Sequence, residues 1–185
     1  MVARHSDVGV EAWRKLAARV IEAARALGDV LVVIDEAHFV APQRGKVPAA
    51  VKGLATTGRG EGASSIWVTQ RLSEAEETVI SQCQARLLGG FESSADLGKV
   101  DAITEYPTDV HNPQVTYVPN LPVRLEPRGR KEPHSLQKHI EDGDTVGSEW
   151  IYSDNTGKRE RRNTRGLAAS MQSTHYGKQG KGLKV

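Results

Sequence analysis

The chain has 185 residues, a formal net charge of +2 and only 38% hydrophobic residues, so it has the length of one ordinary domain with a modest core. Its one cysteine, Cys83, excludes an intrachain disulfide and a cysteine-rich zinc site. The sequence shows no signal peptide and no apolar run near the ~20 residues that span a bilayer. We therefore expect a cytoplasmic protein without a membrane span.

The first hundred or so residues alternate between helical and extended patterns. Apolar residues at three- and four-residue steps predict an amphipathic helix over residues 8–27, and the β-branched run at 30–34 predicts a strand buried on both faces. Further along, the patterns predict a helix at 48–57, a strand at 65–69, a helix at 74–82 capped by Ser73, a strand at 85–88 and a helix at 94–104. This alternation predicts an α/β fold with a parallel sheet flanked by helices.

Beyond Pro107 the character of the chain changes. We expect short extended pieces at 115–118 and 123–126, and then a polar, basic, β-poor tail over residues 128–185, loose at 128–147, that allows a β-hairpin within 149–165. Residues 124–185 hold 13 Lys and Arg against 8 Asp and Glu, whereas residues 1–123 hold 12 against 15. A basic tail suits contact with nucleic acid or another polyanion, or it serves to keep the chain soluble.

Two adjacent carboxylates follow the first predicted strand, in the stretch LVVIDEAHFV. Ligands bind at the carboxyl ends of the strands of a parallel sheet, which makes Asp35 and Glu36 candidate site residues. In phosphoryl-transfer enzymes an aspartate at this place holds Mg²⁺ through water, and a neighbouring glutamate can activate the attacking water. The alternative is a solvated strand end.

Three more polar residues are candidates for the same chemistry. Gln70 follows the second predicted strand 35 residues after Asp35, so its amide could contact a γ-phosphate, position water, or merely cap the next helix. Arg59, in the loop GRGEG, and Arg71 could each reach a neighbouring subunit's nucleotide and stabilise transition-state charge. For both arginines the alternative is an ordinary surface residue.

The phosphate-binding loop that such a site needs is missing from these residues. The pattern G-x-x-x-x-G-K-[ST] does not occur in the 185 residues, so nothing in them supplies the backbone cradle and lysine that bind the β- and γ-phosphates. We therefore expect ATP and Mg²⁺ to be the cofactors of a completed site, and the isolated chain to be inactive.

The ordered motifs resemble the HerA/FtsK-like DNA-translocating P-loop ATPases. The likeness runs from about residue 8 to residue 105 and includes LVVIDEAHFV, Gly58-Arg59, the run Val68-Thr69-Gln70-Arg71, Ser81-Gln82-Cys83, and the strand and helix that follow. The resemblance implies a partial RecA-like domain over residues 1–127, without Walker A.

The same resemblance implies roles for particular residues and partners. Asp35 matches the Walker B magnesium residue, Glu36 the catalytic base and Gln70 the sensor, while Arg59, ahead of Arg71, is the candidate finger acting in trans. It also implies DNA as the substrate of a translocase or helicase. The assembly would be a hexameric ring, or would include a second chain that carries the P-loop.

Other interpretations stay open at this point. DEAH-type superfamily 2 helicases also end a strand in Asp-Glu-Ala-His, which this chain has at 35–38. They continue with Ser-Ala-Thr on the next strand, where this chain reads Val68-Thr69-Gln70. A non-catalytic relative that binds DNA or a motor subunit is a second alternative. A stand-alone enzyme of another class is least favoured, because the six histidines show no paired ligand spacing and no G-x-S-x-G occurs. For His38 we predict a packing or hydrogen-bonding role.

Overall fold

A computed structural model describes residues 9–165 of the chain. These residues form a mixed α/β structure with one parallel two-stranded sheet and one antiparallel sheet. They group into two compact units, the first running to Gln84 and including Gly98–Ile103, the second made of Ala85–Leu97 and the residues from Thr104 onward. The domain boundary expected at residues 127 and 128 lies inside the second unit, and the extent of the ATPase domain stays a prediction.

The first unit carries the parallel sheet. Its elements in chain order are α1 (Val10–Leu27), β1 (Val30–Ile34), α2 (Ala37–Val40), α3 (Ala49–Thr56), a 3₁₀ helix (Gly58–Glu61), β2 (Ala63–Trp67), a second 3₁₀ helix (Leu72–Glu74) and α4 (Glu77–Gln82). β1 pairs with β2 in parallel, Val30 beside Ala63 and Ile34 beside Trp67. The carboxyl ends of both strands therefore meet at one edge of the sheet.

The core of this unit lies on one face of the parallel sheet. The amphipathic pattern of α1 buries Trp13 and Ile21 against Ile34, Val51 and Leu54. The other face is open, because Leu31 and Val33 are each 60% exposed, and Ile66 and Val68 are 47% and 44% exposed. The prediction that the first strand is buried on both faces is wrong for the residues that the structure describes, since none of their helices covers that second face.

Several boundaries differ from the sequence prediction. β2 begins and ends two residues early, so Thr69 and Gln70 lie beyond the strand. The helix predicted at 74–82 begins only at Glu77, and its N-cap is Glu76, whose carboxylate accepts a hydrogen bond from the backbone N–H of Val79 over 3.0 Å. Ser73 lies in the preceding 3₁₀ helix, because the chain is extended at Ala75 before α4 begins.

The second unit is built around a long antiparallel strand. Its elements are β3 (Ala85–Leu88), β4 (Lys138–Glu141), β5 (Asp144–Asp154) and β6 (Arg159–Asn163), while α5 (Ser94–Ile103) is divided between the two units. β5 pairs antiparallel with β3, β4 and β6. A 3₁₀ helix at Thr108–His111 and another at Val123–Leu125 pack on this unit's core.

Three sequence predictions are wrong for this unit. β3 is a strand, but it is antiparallel to β5, with Leu88 beside Ile151, and does not extend the parallel sheet. Residues 128–147 are not loose throughout, since β4 and the start of β5 lie there, and the described part of the expected tail is not β-poor. The pairing of β3 could not be predicted, because its partner strand begins more than fifty residues further along the chain. Residues 166–185 of that tail lie outside the described residues.

The antiparallel sheet also has a hairpin, β5 and β6 joined by a turn closed by the N–H of Gly157 and the carbonyl of Asp154. Neither extended piece predicted at 115–118 and 123–126 is a strand. The N–H groups of Val115, Leu125 and Glu126 instead donate to the carbonyls three residues earlier, as in turns and 3₁₀ helices. Among residues 9–165, no helix combines the length and apolar character that crossing a bilayer requires.

Candidate functional site

The two candidate carboxylates lie where β1 leaves the sheet. The N–H of Val68 donates to the carbonyl of Ile34 over 2.9 Å, and the carbonyl of Val68 accepts from the N–H of Ala37 over 2.8 Å, so the strand pairing continues past the ends of β1 and β2. Glu36 adopts a left-handed conformation, φ 48° and ψ 51°, and its N–H donates to Oδ1 of Asp35 over 2.9 Å. This turn directs the chain into α2 and leaves the Asp35 side chain exposed.

Gln70 meets Glu36 at this edge. Its Nε2 donates to Oε1 of Glu36 over 3.3 Å. The second carboxylate oxygen, Oε2, is buried and has no hydrogen-bond partner among the described residues, its neighbour Nδ1 of His38 being 3.4 Å away. Buried carboxylate oxygens in proteins normally have a donor, and the imidazole of His38 is the nearest polar group to Oε2 here.

His38 and Thr69 connect the two strand ends. His38 is only 5% exposed, and its Nδ1 lies 3.0 Å from Oγ1 of Thr69. Thr69 Oγ1 also accepts from the N–H of Arg71 over 3.1 Å. The hydrogen-bonding role predicted for His38 is confirmed, and the contact holds the end of β2, and with it Gln70, beside Glu36. Sequence reasoning missed Thr69 as a positioning residue, although its place just before Gln70 was the available signal.

The two candidate arginines are not part of this cluster. Arg71 extends along the surface to Glu74, with Nη1 2.9 Å from Oε1. Arg59 lies in the 3₁₀ helix that precedes β2, at the amino edge of the sheet, where the carbonyl of Gly62 accepts from the N–H of Val30. The length of β1 separates that edge from Asp35, roughly 13 Å at the rise of a strand. Within one chain the structure brings together Asp35, Glu36 and Gln70, but not Arg59.

The loop that carries Arg59 is clamped from beneath. Arg25 donates from Nε and Nη2 to the two oxygens of Glu61, 2.6 Å in each case, and from Nη2 to Thr57 over 3.2 Å. These hydrogen bonds lower the pKa of Glu61. The guanidinium passes so close to α3 that a Cβ on Gly53 would lie 2.3 Å from it. Arg59 itself is exposed and makes no side-chain hydrogen bond or ion pair within residues 9–165, so it is free to contact another molecule.

The carboxylates suit a magnesium ion that keeps most of its water ligands. No group of three His, Cys, Asp or Glu side chains in the described part of the chain could hold a metal. One exposed aspartate beside a glutamate suits an ion that keeps most of its waters and is completed by phosphate oxygens. Asp35 would hold such an ion. The bound ion would neutralise charge that develops on a phosphoryl group.

Comparison with known proteins shows a likeness of fold. No protein-family model and no curated protein matches the chain. Similar solved structures include the genome packaging NTPase B204 from Sulfolobus turreted icosahedral virus 2 with sulfate (TM-score 0.56, 14% identity, 80% of this chain and 62% of that chain) and with ATP-gammaS (0.55, 14%, 87% and 64%). Another is B204, the DNA-packaging ATPase from Sulfolobus Turreted Icosahedral Virus (0.54, 17%, 87% and 64%). The chain therefore spans less than two thirds of these neighbours, and at such identities the likeness shows the fold alone.

Proposed function

We propose that this chain supplies the magnesium, water-activating and sensor residues of a nucleotide site in an ATP-driven DNA-translocating motor of the HerA/FtsK type, built on a partial RecA-like domain. The phosphate-binding loop comes from outside the 185 residues. The observation that carries the proposal is the hydrogen bond from Gln70 to Glu36 at the carboxyl edge of a parallel sheet, directly beside the exposed Asp35. The neighbouring folds, a packaging NTPase seen with ATP-gammaS, are consistent with it.

Each residue has a defined task in this proposal. Glu36 accepts the proton of the water that attacks the γ-phosphorus. Gln70 holds one oxygen of this carboxylate and so fixes its direction. Asp35, exposed at the same edge, binds Mg²⁺ through its waters. His38 and Thr69 hold the two strand ends together.

The open face of the parallel sheet supports a site completed from outside. Parallel sheets are covered on both faces in known folds, because their crossovers place helices there. Here one face presents the four exposed apolar side chains Leu31, Val33, Ile66 and Val68, directly beside the Asp35 and Glu36 edge. A polypeptide that covers this face would carry its loop to the carboxylates.

Arg59 fits the same assembly only from a neighbouring subunit. It lies at the opposite sheet edge from Glu36 and is exposed, so it cannot act on the site of its own chain. An arginine finger in trans requires subunits arranged in a closed ring or a comparable oligomer, with DNA as the translocated substrate. Arg71, engaged by Glu74, is the second choice.

The first test is binding of Mg-ATP by the isolated chain, measured by calorimetry. We expect no saturable binding below about 1 mM, because the phosphate-binding half is absent from these residues. Tight binding would contradict the proposal that half of the site lies elsewhere.

The second test uses the chain in its natural complex, purified from its own cells, with DNA-stimulated ATP hydrolysis as the readout. A partner segment or chain with G-x-x-x-x-G-K-[ST] should be present. Glu36→Gln should lower turnover by about 10²–10⁴-fold, the usual effect of losing a general base, while nucleotide binding persists. The matched control, Glu11→Gln, removes an exposed carboxylate of the first unit that has no side-chain partner among the described residues, and should leave turnover unchanged. Unchanged turnover in Glu36→Gln would favour a non-catalytic relative.

A further inference from the structure

The second unit has an open depression that none of the roles above uses. It has a volume of about 520 Å³ and is lined by Glu126, Pro127, Arg128, Gly129, Arg130 and His134. The lining comes from one short segment, EPRGRKEPH, which joins the 3₁₀ helix at Val123–Leu125 to the antiparallel sheet. The depression and its surroundings belong entirely to the second unit.

The cations of this segment are free, whereas those of the neighbouring strand are not. Arg128, Arg130 and Lys131 are exposed, and none of them makes a side-chain hydrogen bond or ion pair with the residues that the structure describes. By contrast, the cations of β6 and its turn pair with carboxylates, as Lys158 and Arg162 do with Glu160. Free clustered cations bind a polyanion without first breaking an ion pair, and they release its counterions.

The carboxylates of the segment do not cancel these charges. Glu126 is in the lining, and Glu132 folds back over Gly129, where a Cβ would lie 3.3 Å from its carboxyl carbon. The turn is closed by a 3.1 Å hydrogen bond from the N–H of Glu132 to the carbonyl of Gly129. Three cations therefore stand against two carboxylates, one of which is drawn back onto its own turn.

An exposed aromatic ring contacts the lining of the depression. Tyr117 is 67% exposed, and its ring centroid lies 4.7 Å from that of His134, which lines the depression. The N–H of His134 donates to the carbonyl of Thr116 over 2.7 Å, so the two segments are joined there. Cations that follow a phosphate backbone next to an aromatic ring on which a base can stack are the combination used to bind single-stranded nucleic acid.

We propose that Arg128, Arg130 and Lys131 bind the phosphate backbone of DNA at this depression, and that Tyr117 stacks on an unpaired base. The choice of DNA as the polyanion rests on the proposed motor function, whereas the site itself rests on the free cations and the exposed ring. This places a DNA contact in the second unit, apart from the residues that act on nucleotide.

Binding of labelled single-stranded and duplex DNA to the full chain, followed by fluorescence anisotropy over a range of salt, tests the cations. Replacing Arg128, Arg130 and Lys131 by Ala should weaken single-strand binding by at least tenfold and reduce the salt slope by about 2, since each phosphate contact contributes about 0.7. The control removes three exposed cations of the first unit, Lys15, Arg19 and Arg44, which have no ion-pair partner among residues 9–165, and should weaken binding less than threefold. Equal weakening in both triple variants, or no binding by the unsubstituted chain, overturns the site.

Tyr117 is tested separately in the same assay. Tyr117→Ala should weaken single-strand binding about tenfold and leave duplex binding unchanged. Tyr117→Phe should bind single strands as tightly as the parent, because stacking needs the ring alone. Unchanged single-strand affinity in Tyr117→Ala overturns the stacking role. If the natural complex hydrolyses ATP but these variants bind DNA normally, the DNA site is overturned and the proposed motor function stands. If these variants lose DNA binding but the natural complex does not hydrolyse ATP, the DNA site stands and the motor function is overturned.

Discussion

Gln70 donates a hydrogen bond to Oε1 of Glu36 across 3.3 Å, although 34 positions separate the two residues in the chain. The contact exists because β1 and β2 are parallel neighbours that end at the same edge. It occupies one oxygen of the carboxylate, while the other lies buried 3.4 Å from Nδ1 of His38. The two contacts fix the orientation of the carboxylate at the edge of the sheet.

Gln70→Glu should impair the proposed reaction by placing a second carboxylate beside Glu36. A carboxylate at position 70 has no N–H to donate to Oε1 of Glu36 and repels it, so the orientation of Glu36 is lost. We expect turnover in the natural complex to fall at least tenfold, and to fall further than in Gln70→Ala, which removes the donor without adding charge. Gln82→Glu, an exposed glutamine at the end of α4, is the control. Turnover equal to that of the parent would contradict the role of Gln70.

The open sheet face should make the isolated chain associate with itself. Exposed apolar surface next to unpaired strand edges promotes pairing between molecules. Val33→Thr combined with Ile66→Thr should reduce that association in sedimentation velocity, because both side chains are about half exposed or more. The control, Leu87→Thr with Ile140→Thr, makes the same change at exposed positions of the second unit. A sharp monomer boundary for the unsubstituted chain would disprove the prediction.

The effect of Gly53→Ala on stability should reverse its sign when Arg25 is replaced by Ala. In the parent chain the new Cβ would displace the Arg25 guanidinium, 2.3 Å away, and break its contacts with Glu61, so the unfolding temperature should fall. In an Arg25→Ala background the same change should stabilise by about 0.5–1 kcal/mol, the ordinary preference of a helix for Ala over Gly. Gly98→Ala, in α5 with nothing within 4 Å of its Cβ position, should stabilise in either background. Thermal unfolding of the five single and double variants measures this, and additive effects of Gly53→Ala and Arg25→Ala would argue against the clamp.

Acid should destabilise the second unit through His111. This residue is fully buried, its Nδ1–H donates to the carbonyl of Gly89 and its Nε2 accepts from the hydroxyl of Tyr106, each over 2.7 Å. Burial lowers the pKa of His111 to about 4 from the 6.5 of an exposed histidine. The unfolded chain therefore binds the proton first, and stability that is complete above pH 6.5 is lost as the pH falls toward 4.

The expected loss between pH 7 and 4.5 is about 2–3 kcal/mol, measured by urea unfolding at a series of pH values. His111→Gln should be less stable at pH 7, and its stability should change less over this interval. The carboxyls whose pKa values are lowered, Glu61, Glu76, Asp154 and Glu160, lose their contributions at lower pH, below their usual range. A parent stability that is flat from pH 7 to 5 would contradict a neutral buried His111.

Local patterns in the sequence predicted most elements of the first unit. The helical periodicity of α1, the β-branched run of β1 and the polar residues after two strands depend on neighbours within a few positions. The predicted βαβ order also implied that Asp35, Glu36 and Gln70 would meet, because strands in this order end at the same edge. The left-handed turn at Glu36 and the short helix α2 were missed, since no glycine marks that turn.

Longer-range features could not be predicted in the same way. β3 has the composition of a buried strand, but its partner β5 begins more than fifty residues later and pairs with it antiparallel. Arg161 is a charged residue in a basic run, and only the fold shows that it is nearly buried and bonded to Glu149 and to the carbonyl of Leu125. Such contacts join segments whose separate sequences carry no mark of each other.

By itself, the sequence determined that the chain alternates helix and strand over its first hundred residues, that two carboxylates and an amide follow buried strands, and that no P-loop is among its 185 residues. Only the tertiary structure decided that Gln70 bonds to Glu36, that Arg59 lies at the opposite edge, and that one sheet face is open. The physical reason is the distance along the chain over which each kind of interaction acts. Hydrophobic periodicity, caps and turns act over a few residues, whereas burial, strand partners and free charges depend on which distant segments the folded chain brings together.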